Sequence, residues 1–156
     1  MIVTCDEREP VPPVGDRFGY LLKHARERMA ALSAEALRPF GVSGREVAVL
    51  TVLATGSPPS QLEAAQRLAL DRTTMVALID GLEAKALVTR GPDPSDRRRN
   101  IVSLTAAGRS TLAAATRATD EAERAFLAPL ETADRERFRR MLQAVVAGEA
   151  AGSDRT

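Results

Sequence analysis

The chain has 156 residues, 22 Lys/Arg against 21 Asp/Glu, one Cys and one His. That inventory excludes an intramolecular disulfide and a Cys/His zinc cluster, and it points to no cofactor. A formal net charge of +1 makes no global case for or against nucleic acid, so any electrostatic reading has to be local.

Hydrophobic residues make up 44% of the chain, yet aromatics are only 3% and Trp is absent. A core rich in Ala and Leu favours close-packed helices. No apolar run approaches the roughly 18 residues that span a bilayer. MIVTCDEREPVPP lacks the basic start and apolar stretch of a signal peptide, so a cytoplasmic location with no membrane partner is expected.

Residues 1–13 read as a disordered tail. From Val14 an apolar stripe recurs at helical spacing through Phe18, Leu21, Ala25, Met29, Leu32 and Ala36, until Pro39 and Gly41 stop it. Ser43 and Glu46 have capping-box spacing and favour a helix over Ser43–Ala54, although the run Val47–Leu53 would also suit a strand. TGSPP breaks the chain. Ser60 and Glu63 repeat the capping spacing and start a short helix through Leu68.

Asp71 can cap the next helix, which runs to about Lys85. Met75, Leu78, Ile79 and Leu82 form its apolar face, with Arg72, Thr73, Val76, Ala77 and Asp80 on the opposite one. Two helices separated by two or three residues have the spacing of a helix-turn-helix. LVTR (87–90) and IVSL (101–104) then read as a hairpin whose tip carries Asp96, Arg97, Arg98 and Arg99. Thr105 opens a long Ala-rich helix to about Leu127. Thr132 to about Val146 forms a last helix, and residues 149–156 read as a frayed tail.

The order is that of a winged helix flanked by outer helices: a mainly α fold with a small β-hairpin wing. The winged helix-turn-helix spans 43–104, and the helices at 14–40 and 105–148 lie outside it.

At this point the sequence resembles the multiple-antibiotic-resistance regulator (MarR) family of transcription factors. The resemblance rests on DRTTMVALIDGLEAKALVTR and GPDPSDRRRNIVSLTAAG, which hold the D-x-x-D-R-R segment (Asp93–Arg98) and L-T-x-x-G (Leu104–Gly108). It implies an obligate homodimer that binds double-stranded DNA at a pseudo-palindromic operator, most often as a repressor released by a small aromatic acid. It also implies that the outer helices of two subunits knot together, and that the wing arginine enters a minor groove. This chain departs from the family by having Ala69 and Ala86 where Gly is usual, and Ala77 and Gly81 where Arg is frequent.

On the recognition helix, Arg72 can clamp a phosphate or reach a guanine edge, Thr73 and Thr74 offer hydroxyls, and Val76 and Ala77 can meet a thymine methyl. Ser60 and Gln61, opening the preceding helix, suit phosphate. In the wing, Arg98 is expected to insert, oriented by Asp96, with Arg97 and Arg99 on phosphates; arginine suits a narrow, negative groove. From Ser60 to Asn100, seven basic residues face six acidic ones, so affinity depends on doubling the contacts in a dimer. Half-sites would lie roughly 34 Å apart.

The dimer interface is expected to use Phe18, Leu21, Leu22, Met29, Phe138, Met141, Leu142 and Val145. His24, Phe18 and Arg28 are candidates for an acid-binding pocket, against the plainer reading of a surface or interface His. Two alternatives stand beside the regulator: a winged helix that binds protein instead of DNA, and a thiol switch at Cys5. The neighbouring Asp6 and Glu7 would raise that thiol's pKa and so oppose the switch. Nothing resembles a nucleophile–base pair or a Gly-rich phosphate loop, so no enzyme is expected.

Overall fold

The computed structural model describes residues 13–55, 61–92 and 100–151. A short 3-10 turn, Val14–Asp16, precedes helix α1, Phe18–Leu37. Arg17 is extended, so Val14 stands outside the helix that the stripe suggested it would begin. A second 3-10 turn, Arg38–Phe40, ends at Gly41 with φ 63°, the left-handed conformation glycine adopts without strain.

Helix α2, Gly44–Leu53, settles the choice between helix and strand. The Glu46 amide donates to Ser43 Oγ (3.3 Å), and the Ser43 amide donates to Glu46 Oε2 (2.8 Å). This reciprocal box satisfies two donors that a helix start would leave open. Helices α3, Gln61–Arg67, and α4, Arg72–Ala84, form the helix-turn-helix. Strands β1, Val88–Pro92, and β2, Asn100–Leu104, pair antiparallel with Val88 opposite Leu104 and Pro92 opposite Asn100. Helix α5 spans Ala106–Phe126 and α6 spans Thr132–Ala151.

The core belongs to the winged helix. Met75, Ile79 and Leu82 of α4 meet Val49, Leu50 and Leu53 of α2, with Ala64 and Ala65 of α3, Val88, Val102 and Leu104 of the hairpin, and Ala115 of α5. Small alanines let α3 and α5 approach closely, which is why so few aromatics suffice.

One junction locks this core to α5. Thr105 caps α5 by accepting the Gly108 amide (2.9 Å), while its own hydroxyl donates to the Ala86 carbonyl (2.8 Å) and its amide to the Leu87 carbonyl (3.0 Å). A Cβ built on Gly108 would stand 1.9 Å from the Leu87 oxygen. The L-T-x-x-G segment is thus a clip in which the threonine ties two backbones together and the glycine lets them touch.

Outside the core, α1 lies along α5, whereas α6 makes few contacts with the rest of the chain.

Candidate nucleic-acid interface

Each end of α4 has a defined start or stop. Asp71 caps its beginning, accepting the Thr74 amide (2.9 Å) and the Thr74 hydroxyl (2.6 Å). Those two bonds, the hydroxyl's first, hold the Asp71 carboxyl below its usual range. Thr74's donor is thereby committed to the cap, a role that spacing alone did not separate from DNA contact. The side chains of Arg72 and Thr73 are exposed and carry no hydrogen bond or ion pair among the described residues.

The outward face expected from the sequence is where the structure places it. Met75, Ile79 and Leu82 are buried; Arg72, Thr73, Ala77 and Asp80 are exposed, with Val76 half-buried between them. Two residues in left-handed conformation frame the helix: Ala69 (φ 50°) in the turn before it and Ala86 (φ 56°) between it and β1. These are the two positions at which glycine is usual in the family the sequence resembles. The backbone keeps its geometry there despite the added Cβ.

The strand β1 is tied to α4 by one arginine. The Arg90 guanidinium donates through Nη1 to Glu83 and through Nη2 to Asp80, and its amide donates to Glu83 Oε1 (3.3 Å). Hydrogen bonding to Asp80, offset in part by burial and reinforced by Glu83, raises the guanidinium pKa. Reading residue by residue did not find this cluster. Its signal was present, two acids three apart on one helix face followed by an arginine in the adjoining strand.

At the far end of α4, Lys85 Nζ donates to the Gly41 carbonyl (2.7 Å) and to Glu46 Oε1 (2.7 Å). Glu46 is 8% exposed. Burial pushes its pKa upward, but the bonds from Lys85 and Ser43 outweigh that and hold it below the ordinary value. The recognition helix is therefore anchored to the end of the α1 segment as well as to α2.

The wing residues Asp96, Arg97, Arg98 and Arg99 lie outside the described residues, as do Ser60 and Cys5; Gln61 is the first residue of α3. The hairpin register brings Pro92 and Asn100 opposite each other.

Comparison with known proteins agrees with this geometry. A family model described as "MarR family" matches residues 40–99, from the end of the Arg38–Phe40 turn to the hairpin tip. CouR, solved bound to a 23-mer DNA duplex, is 30% identical over 85% of this chain and 94% of its own, with a TM-score of 0.76. The chain belongs to the MarR family.

Other relatives of this MarR-family winged helix-turn-helix regulator agree. CouR from Rhodococcus jostii RHA1, solved bound to p-coumaroyl-CoA, shares 28% identity over 86% of this chain and 96% of its own, at a TM-score of 0.73. The transcriptional repressor NicR of Pseudomonas putida is 32% identical over 99 residues, 64% of this chain; the match spans 63% of NicR. A putative regulatory protein for the hcr operon of Thauera aromatica is 30% identical over 125 residues, 78% of this chain and 75% of that protein. Among the described residues, no helix is long and apolar enough to cross a membrane.

The outer helices hold a groove of about 570 Å³, walled by Met29 of α1, Phe126 and Leu127 at the end of α5, and Phe138, Leu142 and Val146 of α6. Glu123 and Arg139 pair at its edge. Of the residues suggested for dimerisation, Met29 and Phe138 are half-buried and line this groove together with Leu142. Phe18, Leu21, Leu22, Met141 and Val145 are exposed.

The residues suggested for a ligand do not converge. Phe18 is exposed, His24 rests edge-on against Tyr20 with its Nδ1 3.1 Å from Glu27, and Arg28 lies over the Phe126 ring, 5.8 Å from its centroid. None of the three lines the groove, although Arg28 touches one of its walls.

Proposed function

We propose that this chain is a homodimeric, sequence-specific DNA-binding regulator, acting as a repressor that a small aromatic acid or its derivative releases from DNA. The observation that carries the reading is the outward face of α4. It offers Arg72, Thr73 and Ala77 to solvent, with Val76 half-buried between them, and the adjoining wing sequence holds Arg97, Arg98 and Arg99. Small side chains on an exposed helix face have nothing to bury against except a thymine methyl or a groove wall. The arginine run Arg97–Arg99 in the wing sequence suits phosphate contacts and a minor-groove residue.

Dimerisation is supported by the outer helices. Apolar side chains at the start of α1 and along α6, Phe18, Leu21, Leu22, Met141 and Val145 among them, are left uncovered by their own chain, as an interaction surface would be. Two copies double the contacts of a module that has little net charge.

The effector reading draws on CouR, which is solved with an aromatic acyl-CoA, and on the cation of Arg28 held against Phe126. An effector that favours one arrangement of the two winged helices shifts the population away from the spacing that fits two half-sites.

The test is a selection of genomic duplexes with purified protein, followed by titration of the best duplex at two salt concentrations beside Arg98→Ala. Enrichment of a pseudo-palindrome, weakened by salt and by the substitution, is expected. If no duplex is enriched, the module binds protein instead.

A further inference from the structure

Asp80 and Glu83 stand three residues apart on α4, so their carboxylates share a face of the recognition helix. That face is an unfavourable place for acids, because unpaired carboxylates next to a duplex repel its phosphates. Both are held by one side chain. Arg90 spans them with its two terminal nitrogens and adds a third bond from its own amide to Glu83. A lysine could not span the pair, since the two-pronged geometry belongs to the planar guanidinium.

The other side of Arg90 is fixed as well. It sits opposite Val102 in the hairpin register, and Val102 is buried in the core. Two residues beyond Arg90, β1 ends at Pro92. A hairpin on its own is marginally stable and twists freely. Any rotation at its base is amplified toward the tip.

We propose that Arg90 is the positioning residue for DNA reading: by bridging Asp80 and Glu83 it locks the base of the wing to the recognition helix, so that helix and wing meet the duplex as one rigid unit. The inference rests on the DNA-binding reading above. It assigns to Arg90 no contact with DNA. The residue acts through the wing's orientation and by pairing two acids that would otherwise face phosphate.

The experiment uses the full chain and the duplex enriched by the wild-type protein, at a temperature where thermal melts show every variant folded. Arg90→Gln should bind roughly tenfold more weakly or worse, with Arg90→Lys in between. The triple variant Asp80→Asn, Glu83→Gln, Arg90→Gln removes all three charges. It should remain weaker than wild type by roughly fivefold, because the repulsion is gone but the lock is too. In the free protein, backbone amides of residues 88–91 should exchange faster with deuterium in Arg90→Gln.

Wild-type affinity in Arg90→Gln or in the triple variant overturns the proposal, and so does unchanged amide exchange. Failure of the wild-type protein to enrich any duplex sinks the DNA reading instead, while amide exchange still decides whether Arg90 holds the wing.

Discussion

Ile79 and Leu82 of α4 are completely buried within one chain, whereas Val145 and Val146 of α6 are 65% and 74% exposed. Both pairs are aliphatic residues on one stripe of a helix, and only their surroundings differ. In the winged helix every apolar stripe finds a partner within the same chain, as α4 does in α2, α3, the hairpin and Ala115 of α5. The outer helices present stripes for which the same chain supplies no cover. A module that closes on itself has a fixed shape, and surfaces left open are where that shape is joined to something else. The two regions meet at the Thr105–Gly108 clip, at the Lys85 bridge to Gly41, and where Leu37 of α1 and Ala115 of α5 enter the core.

The sharpest way to break the closed region is Gly108→Ala. The added methyl would stand 1.9 Å from a backbone oxygen that the core holds in place, so the α5–β1 junction must open. A loss of about 3 kcal/mol or more is expected, read from chemical unfolding. A loss below about 1 kcal/mol would mean the junction yields and the clip is not structural.

Paired truncations sharpen the contrast itself. Ile79→Ala should destabilise by about 3 kcal/mol through the cavity it leaves. Val146→Ala should change the stability of the isolated fold by less than about 0.5 kcal/mol. Charge reverses the ranking for assembly: Val145→Asp with Val146→Asp should shift sedimentation toward monomer while the circular dichroism of the winged helix is retained. An unaltered sedimentation profile would remove the C-terminal part of α6 from any interface.

A middle-sized effect lies at Glu46, where the two regions are bridged. Its carboxylate has a folded pKa below its unfolded value of about 4.5, so its contribution is complete above that value. The contribution is lost as pH falls through the lower folded pKa. Glu46→Gln should cost about 1–2 kcal/mol near neutral pH, discounted because Lys85 is partly exposed. Wild type and variant should converge in stability as the pH is lowered below about 4, and parallel profiles would show that the charge is irrelevant there.

What could be read without coordinates follows the range of the interactions concerned. Caps are local: the Ser43–Glu46 spacing, and Asp71 and Thr105 as capping residue types, placed the starts of α2, α4 and α5 to within a residue. The inward and outward faces of α4 followed from helical period. The Arg90 lock left only the spacing of two acids and an arginine as its signal, and the Lys85 bridge was not legible, because it spans about forty residues. The groove between α1, α5 and α6 was hidden for the same reason: its walls come from three separate helices. His24 and Arg28 looked like partners by sequence proximity, yet the helix turns His24 toward Tyr20 and Glu27, and Arg28 toward Phe126.

The smallest expected effect probes the frame of the recognition helix. Ala69 and Ala86 both have positive φ, where an L residue is strained by roughly 1–2 kcal/mol. Glycine removes that strain, but it gives the unfolded chain more freedom to lose, which offsets about half of the gain. Ala69→Gly and Ala86→Gly should therefore each stabilise by about 0.5–1 kcal/mol, with no change in the unfolding slope that reports exposed area. Because the two sites sit at opposite ends of α4 and share no partner, their effects should add. Should Ala69→Gly destabilise instead, the turn between α3 and α4 would owe its shape to the alanine methyl. The angle at which the recognition helix leaves the turn would then differ from that of relatives carrying glycine there.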